Sequence, residues 1–187
     1  DGILEWFDDM LFDSGFGNET LHLGQIKISI YDSSGDFKLP REDVKRVIKT
    51  VHRSGWRLYI HVGRGESYDL ATEGLEEAYN EFPREDVRHV ITHARFPTDQ
   101  NLEVLKRYGV MVEPQTGRIW GMSDDYEEQN TDPDRPAYGP YPLRTYLDHG
   151  VVVMTGSDSG RLPAGIPLFT IFAAVNRVRR SGKVINP

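Results

Sequence analysis

WRLYIHV, residues 56–62, alternates strictly: Leu58, Ile60 and Val62 share one face, and Arg57, Tyr59 and His61 the other. A period of two belongs to a β-strand with one apolar and one polar face. Gly63-Arg64-Gly65 breaks the pattern, and from about Tyr68 to Phe82 the apolar residues Leu75, Ala78, Tyr79 and Phe82 recur at helical spacing. The same unit lies upstream. Gln25 to Tyr31 (QIKISIY) sets Ile26, Ile28 and Ile30 against Lys27, Ser29 and Tyr31. Pro40 then opens a helix carrying Val44, Val47, Ile48 and Val51, with acids in its first turn and Gly55 just past its end.

The unit also repeats downstream. Val87 to His93 (VRHVITH) reads as a third strand, and Thr98 as the cap of a helix carrying Leu102, Leu105 and Tyr108. Val110 to Glu113 begins a fourth strand that runs into Pro114-Gln115. Tyr141 to His149 is a short helix. Val151 to Gly160 (VVVMTGSDSG) reads as a buried strand ending in a turn that exposes Asp158. Pro167 to Arg180 is the helix after it, with Leu168, Ile171, Phe172, Val175 and Val178 as its stripe. Outside the repeat, Ile3, Leu4, Trp6, Phe7, Met10 and Leu11 are spaced for a short helix, while the acidic, Pro-rich residues 117–140 have no period and read as a lid, a binding loop or plain disorder.

Five strand–helix units predict an α/β fold with a parallel sheet and right-handed crossovers, satisfied by an open doubly wound sheet or by a TIM (β/α)8 barrel. No G-x-G-x-x-G or Walker-A pattern opens a helix, so nothing favours a nucleotide-binding sheet. The spacing of polar residues at the strand ends points to the barrel. Lys27 to His61 is 34 residues, His61 to His93 is 32, and His93 to Asp158 is 65, one βα repeat for each of the first two steps and two for the last. Groups at one height on successive strands converge above the C-terminal rim of a barrel, whereas an open sheet spreads them along a line.

Bulk composition narrows the partners. The 187 residues carry a formal charge of −7 and no basic run, which argues against nucleic acid and anionic membrane and for a small-molecule partner. There is no cysteine, hence no disulfide, thiolate metal site or cysteine nucleophile. No apolar run reaches the roughly 20 residues of a membrane span. Nothing directs the chain to a compartment, and the cytoplasm is the default reading.

Two histidines and an aspartate on strand ends suit a divalent metal such as zinc, manganese or iron. Lys27 is the odd member, because an ammonium repels a metal. A neutral lysine amine adds carbon dioxide and becomes a carbamate, an anionic bridge between two ions; the plain alternative is a lysine at the rim or paired with Asp32. His89, on the same face as His93 and deeper, reads as a core histidine, and His22, His52 and His149 fall in loop or helix positions.

Lys27 in IKI, His61 in YIHVG, His93 in ITHA and Asp158 in TGSD resemble the strand-four, -five, -six and -eight metal motifs of the amidohydrolase superfamily. With GWRLYIHV, PLRTYLDHGV and PLFTIFAAVNRV, the pattern is similar to the subgroup that includes the YtcJ-like proteins and N-substituted formamide deformylases. The resemblance implies a hydrolase of non-peptide C–N bonds with one or two zinc-type ions. His61 and His93 would hold one ion and Lys27, as its carbamate, would bridge. Asp158 would bind the other and act as general base on the bridging water. Gln115 and Arg64 would contact substrate.

The chain departs from that pattern in places. It lacks the first-strand His-x-His, and has Arg64-Gly65 where the subgroup has Gly-Asp, Thr92 where it has Glu, and Ser159 where it has an aromatic residue. Residues 1–187 are therefore expected to be the C-terminal part of a longer barrel, about five βα units without the first strands and outer β-sandwich. Alone, such a half-barrel would expose strand edges and self-associate. Lactone or phosphoester hydrolysis and decarboxylation stay open, as does a barrel segment that binds a small ligand or partner without chemistry.

Overall fold

The computed structural model describes residues 14–31, 38–63, 65–135, 137–158, 163 and 165–185. The helix expected over residues 3–11, and Arg64, Asp32 and Ser159, lie outside them. Four strands, β1 (Gln25–Ser29), β2 (Arg57–His61), β3 (Val90–Thr92) and β4 (Met111–Glu113), form a parallel sheet in the order β1-β2-β3-β4. Three helices cross between them: α1 (Arg41–Arg53), α2 (Gly65–Glu81) and α3 (Asp99–Tyr108).

A strictly sequential strand order means that every right-handed crossover lies on the same face; a doubly wound sheet reverses its order at a switch point. Accordingly α1 packs on α2 and α2 on α3, side by side over one face. This is the singly wound arrangement of successive barrel units. Leu58, Ile60, Ile91 and Val112 point to the helical layer and are fully buried with Val44, Ile48, Val51, Leu75 and Leu105. Burial of each such side chain is worth about 1.5–3 kcal/mol. The opposite face carries Lys27, Tyr59 and His61, exposed or half-exposed.

Local chemistry fixes the boundaries. Thr98 and Asn101 form a reciprocal capping box at α3, and Gly109, at φ 63°, closes it in the left-handed conformation. β3 is shorter than expected because Asp86 and Arg88, at φ 48° and 58°, bend the chain just before it. The fifth strand is reduced to a parallel bridge between Val112 and Val153, with Val152 and Met154 exposed rather than buried because no described element covers that edge.

The C-terminal half holds further corrections. Residues 117–140 are not featureless: they contain a 3-10 turn (Thr116–Gly121) and a short helix α4 (Tyr126–Asn130). Arg135 clamps them to α2 and α3, donating from Nε and Nη2 to the Asp69 carboxylate at 2.7 Å each, from Nη2 also to Asn101 Oδ1 at 3.0 Å, and from Nη1 to the Phe96 carbonyl. Helix α5 (Leu143–Asp148) precedes the bridge and α6 (Pro167–Asn176) follows it. α6 buries Thr170 and Ala173 against the 3-10 turn and leaves its expected apolar face, Leu168, Ile171, Phe172 and Val175, exposed.

His89 is a core histidine, but not deeper on the face of His93: it packs between the sheet and the helices. The Leu58 N–H donates to its Nδ1, so its Nε2 carries the proton and donates to Nδ1 of His52 at 2.8 Å. His52 Nε2 in turn donates to the Phe82 carbonyl. Every ring nitrogen is satisfied with both imidazoles neutral, and burial lowers both pKa values, that of His89 to about 3.

Because the folded values lie below the unfolded one near 6.5, stability is full above that pH. It falls as pH drops toward the folded values, by up to about 1.4 kcal/mol per pH unit per group. His89→Leu should cost about 1–3 kcal/mol at pH 8, through the unpaired Leu58 N–H and His52 Nδ1. It should also flatten the stability lost between pH 7 and 5. Urea midpoints that fall in parallel for wild type and variant would refute this.

Candidate active site

Strand register places the polar side chains. Ser29 pairs with His61, His61 with Thr92, and Thr92 with Glu113, so these four share one face of the sheet at one level near the C-terminal ends. Lys27 pairs with Tyr59 and therefore lies two residues, roughly 6–7 Å, below His61. The equal heights inferred from chain spacing do not hold, because spacing counts residues between strands and register counts hydrogen-bonded partners. Lys27 Nζ stands 5.6 Å from the Tyr59 ring centroid.

His93 is one residue beyond Thr92, where strand alternation would turn it toward the helices. The backbone reverses this. His93 and Ala94 adopt φ 66° and 47°, and the His93 ring comes to 4.2 Å from that of His61, centroid to centroid. Asp158, also left-handed at φ 44°, brings Oδ2 to 3.8 Å from His93 Nε2. Its other partner is Arg118, on the 3-10 turn, whose guanidinium donates to the same oxygen at 2.7 Å. Thus His61, His93 and Asp158 are brought together with Lys27 below them. Gln115 is buried: its Nε2 donates to Thr92 Oγ1 at 2.7 Å and to the Glu113 carbonyl at 3.0 Å, and its Oε1 has no partner among the described residues.

Both site histidines are held neutral. Burial lowers the pKa of His61, helped by the Lys27 charge, and burial with the nearby His61 lowers that of His93 to about 3. Neutral imidazole has a free lone pair for a metal or a proton. Tyr31 stands edge-on to His61 at 5.0 Å and fills the space over Gly63, where a Cβ would overlap its ring.

Three charged residues were missed from the sequence. Glu113 shares the level of His61; its pKa is raised by burial and by Asp158, its Oε2 has no partner among the described residues, and its carboxylate occupies the space a Cβ on Gly156 would take. The strand-end position of Glu113 was the available signal. Arg95 and Arg118 are single arginines in unpatterned loops.

The donors fit a divalent cation in kind: two neutral imidazoles, one with a buried and unpartnered Nδ1, and a carboxylate. Among the described residues no three histidine or acidic side chains close into a metal-holding group, and Arg118 takes the Asp158 oxygen nearest the histidines. A cavity of about 350 Å3 opens beside the strand ends, lined by Gly63, Gly65, Phe96, Thr131 and Arg135. It begins two and three residues beyond the histidines rather than at them.

The sequence profile of the amidohydrolase family matches residues 8–187. Two solved structures, uncharacterized metal-dependent hydrolases from Pyrococcus horikoshii OT3 and Pyrococcus furiosus, superpose with TM-scores of 0.73 and 0.70 at 23% and 22% identity, over 98% and 94% of this chain. The ochratoxinase of A. niger superposes with a TM-score of 0.55 at 15% identity over 81% of this chain and 34% of its own. The chain spans 38% of the length of each Pyrococcus protein. No curated protein matches it.

The left-handed turn at His93 is directly testable. An L residue there pays roughly 1 kcal/mol or more that glycine does not. His93→Gly should therefore unfold at higher urea than His93→Ala by about 1 kcal/mol, opposite to the usual order at a strand end; the usual order would refute the turn.

Proposed function

The chain belongs to the amidohydrolase family, and from that premise we propose that the intact protein is a metal-dependent hydrolase of an amide-type, non-peptide C–N bond, of the subgroup that includes N-substituted formamide deformylases. The observation that carries this reading is the meeting of two neutral imidazoles with the Asp158 carboxylate at the C-terminal strand ends. The metal-dependent hydrolases of similar fold support it.

His61 and His93 would hold one divalent cation and Asp158 another, zinc foremost for an imidazole and carboxylate set, and Lys27 would contribute as its carbamate. Such a cation supplies Lewis acidity, polarising a carbonyl and making water a nucleophile near neutral pH. Burial keeps His93 a neutral donor. Asp158, open to solvent on one side, takes the proton of the attacking water at a carboxylate oxygen and returns it to the leaving nitrogen. For this the Arg118 guanidinium must leave Oδ2. Arg64 and Gln115 would be the substrate-side residues.

A second reading, a barrel segment that binds a ligand without chemistry, is favoured by the Arg118–Asp158 ion pair. Metal analysis of the purified full-length protein and hydrolysis of N-substituted formamides separate the two. His61→Ala and Asp158→Ala should each lose at least half of the bound metal, and Asp158→Asn should lower kcat by about 100- to 10,000-fold. Unchanged metal content and unchanged hydrolysis in these variants would sink the hydrolase reading.

A further inference from the structure

Among the described residues, the guanidinium bonded to Asp158 is that of Arg118, and it takes two oxygens of that residue. Nη2 donates to Oδ2 at 2.7 Å and to the backbone carbonyl at 3.3 Å. Oδ2 is also the oxygen that stands 3.8 Å from His93 Nε2, too far for a hydrogen bond. Carboxylate and imidazole thus come close without bonding each other, and the cation held there is one the chain supplies itself. A guanidinium satisfies a carboxylate by hydrogen bonding, whereas a divalent ion takes carboxylates and imidazole lone pairs alike.

The backbone that carries Arg118 is anchored. Thr116 Oγ1 donates to the Thr170 carbonyl at 3.0 Å in a buried bond. Ile119 is 0% exposed and packs with Tyr141 and Ile185, and the Trp120 carbonyl accepts from the Arg180 N–H at 3.0 Å. The Arg118 side chain itself is 44% exposed and that of Asp158 39%. The guanidinium therefore leaves Asp158 by rotating about its own side-chain bonds into solvent, while the turn stays in place. Arg135 and Arg179 contrast with it: their side chains are 14% and 0% exposed, and neither can give up its carboxylate without stranding an enclosed charge.

We propose that Arg118 is an exchangeable counter-cation, which holds the Asp158 carboxylate until a divalent cation takes it, the two competing for Oδ2. The inference rests on the hydrolase reading for the presence of that cation, and adds to it a residue that sets how tightly the cation is held. Because both members of the pair are well exposed, the competition is mild, about fivefold in affinity.

Zinc titration of the chelator-stripped full-length protein tests this without turnover. Arg118→Ala and Arg118→Gln should each bind the zinc that depends on Asp158 about fivefold more tightly than wild type. In an Asp158→Asn background the same substitutions should change zinc affinity by less than about 1.5-fold, because the contested charge is gone. Affinity unchanged or weakened in both Arg118 variants overturns the proposal, as does zinc uptake absent from every form. Tightening of equal size in the Asp158→Asn background also overturns it, since Arg118 would then act through the general field of the site. Arg118→Gln keeps a long polar side chain and decides the matter if the alanine variant fails to fold. Fivefold tightening with no hydrolysis would sink the reaction and leave the exchange standing; hydrolysis with zinc affinity indifferent to Arg118 would sink the exchange alone.

Discussion

Parallel pairing with sequential strand order is the constraint on which everything else rests. Each strand must hand its chain to a helix on the same face, so that face has to be apolar, and Leu58, Ile60, Ile91 and Val112 make it so. The other face is then released from core duty. The parallel direction also puts every strand's C-terminal end at one rim, so residues far apart in sequence arrive together: His61 from β2, His93 from beyond β3, Glu113 from β4, and Asp158 from the segment bridged to β4.

Register alone would not assemble the site. Alternation gives Thr92, not His93, to the inner face at the level of His61. The left-handed backbone at His93 recovers the second imidazole, at a conformational cost of order 1 kcal/mol. Asp158 bears the same conformation more cheaply, since a short polar side chain tolerates it. Strain held at the residues that meet one another, on a scaffold buried firmly enough to impose it, is the distribution expected of a functional site.

How far the sequence could be read follows from where each property is stored. Alternation and helical spacing are local, and they disclosed four strands, three crossover helices and the Thr98 cap. They also disclosed His61 and His93 as residues at or just past a strand end. Register is not local, so Lys27 was assigned the height of His61 when it sits a step below. Burial of α6 is not local either: its apolar stripe was legible, but whether anything covers it depends on other elements. Arg95, Arg118 and Arg135 were illegible for a different reason. A single arginine in an aperiodic loop has no pattern, and its meaning is set by the carboxylate or hydroxyl that folding brings to it.

That division has a chemical counterpart. The strands carry the residues suited to holding a cation and moving a proton, and they are fixed by a core that tolerates little change. The loop from 116 to 135 carries charged and aromatic residues set against those strand ends: Arg118 on Asp158, Tyr126 under Arg95, and Arg135 in the wall of the cavity. This loop is not loose, because the half-buried Arg135–Asp69 fork at one end and the Arg179–Glu127 pair in its middle tie it to separate parts of the fold. A charge pair removed from water is costly to break from one side, since the remaining ion is left uncompensated. Substitutions between those anchors can alter Tyr126 or Arg118 without releasing the loop. The surroundings of Asp158 and Arg95 can therefore change here while the strand ends stay as they are.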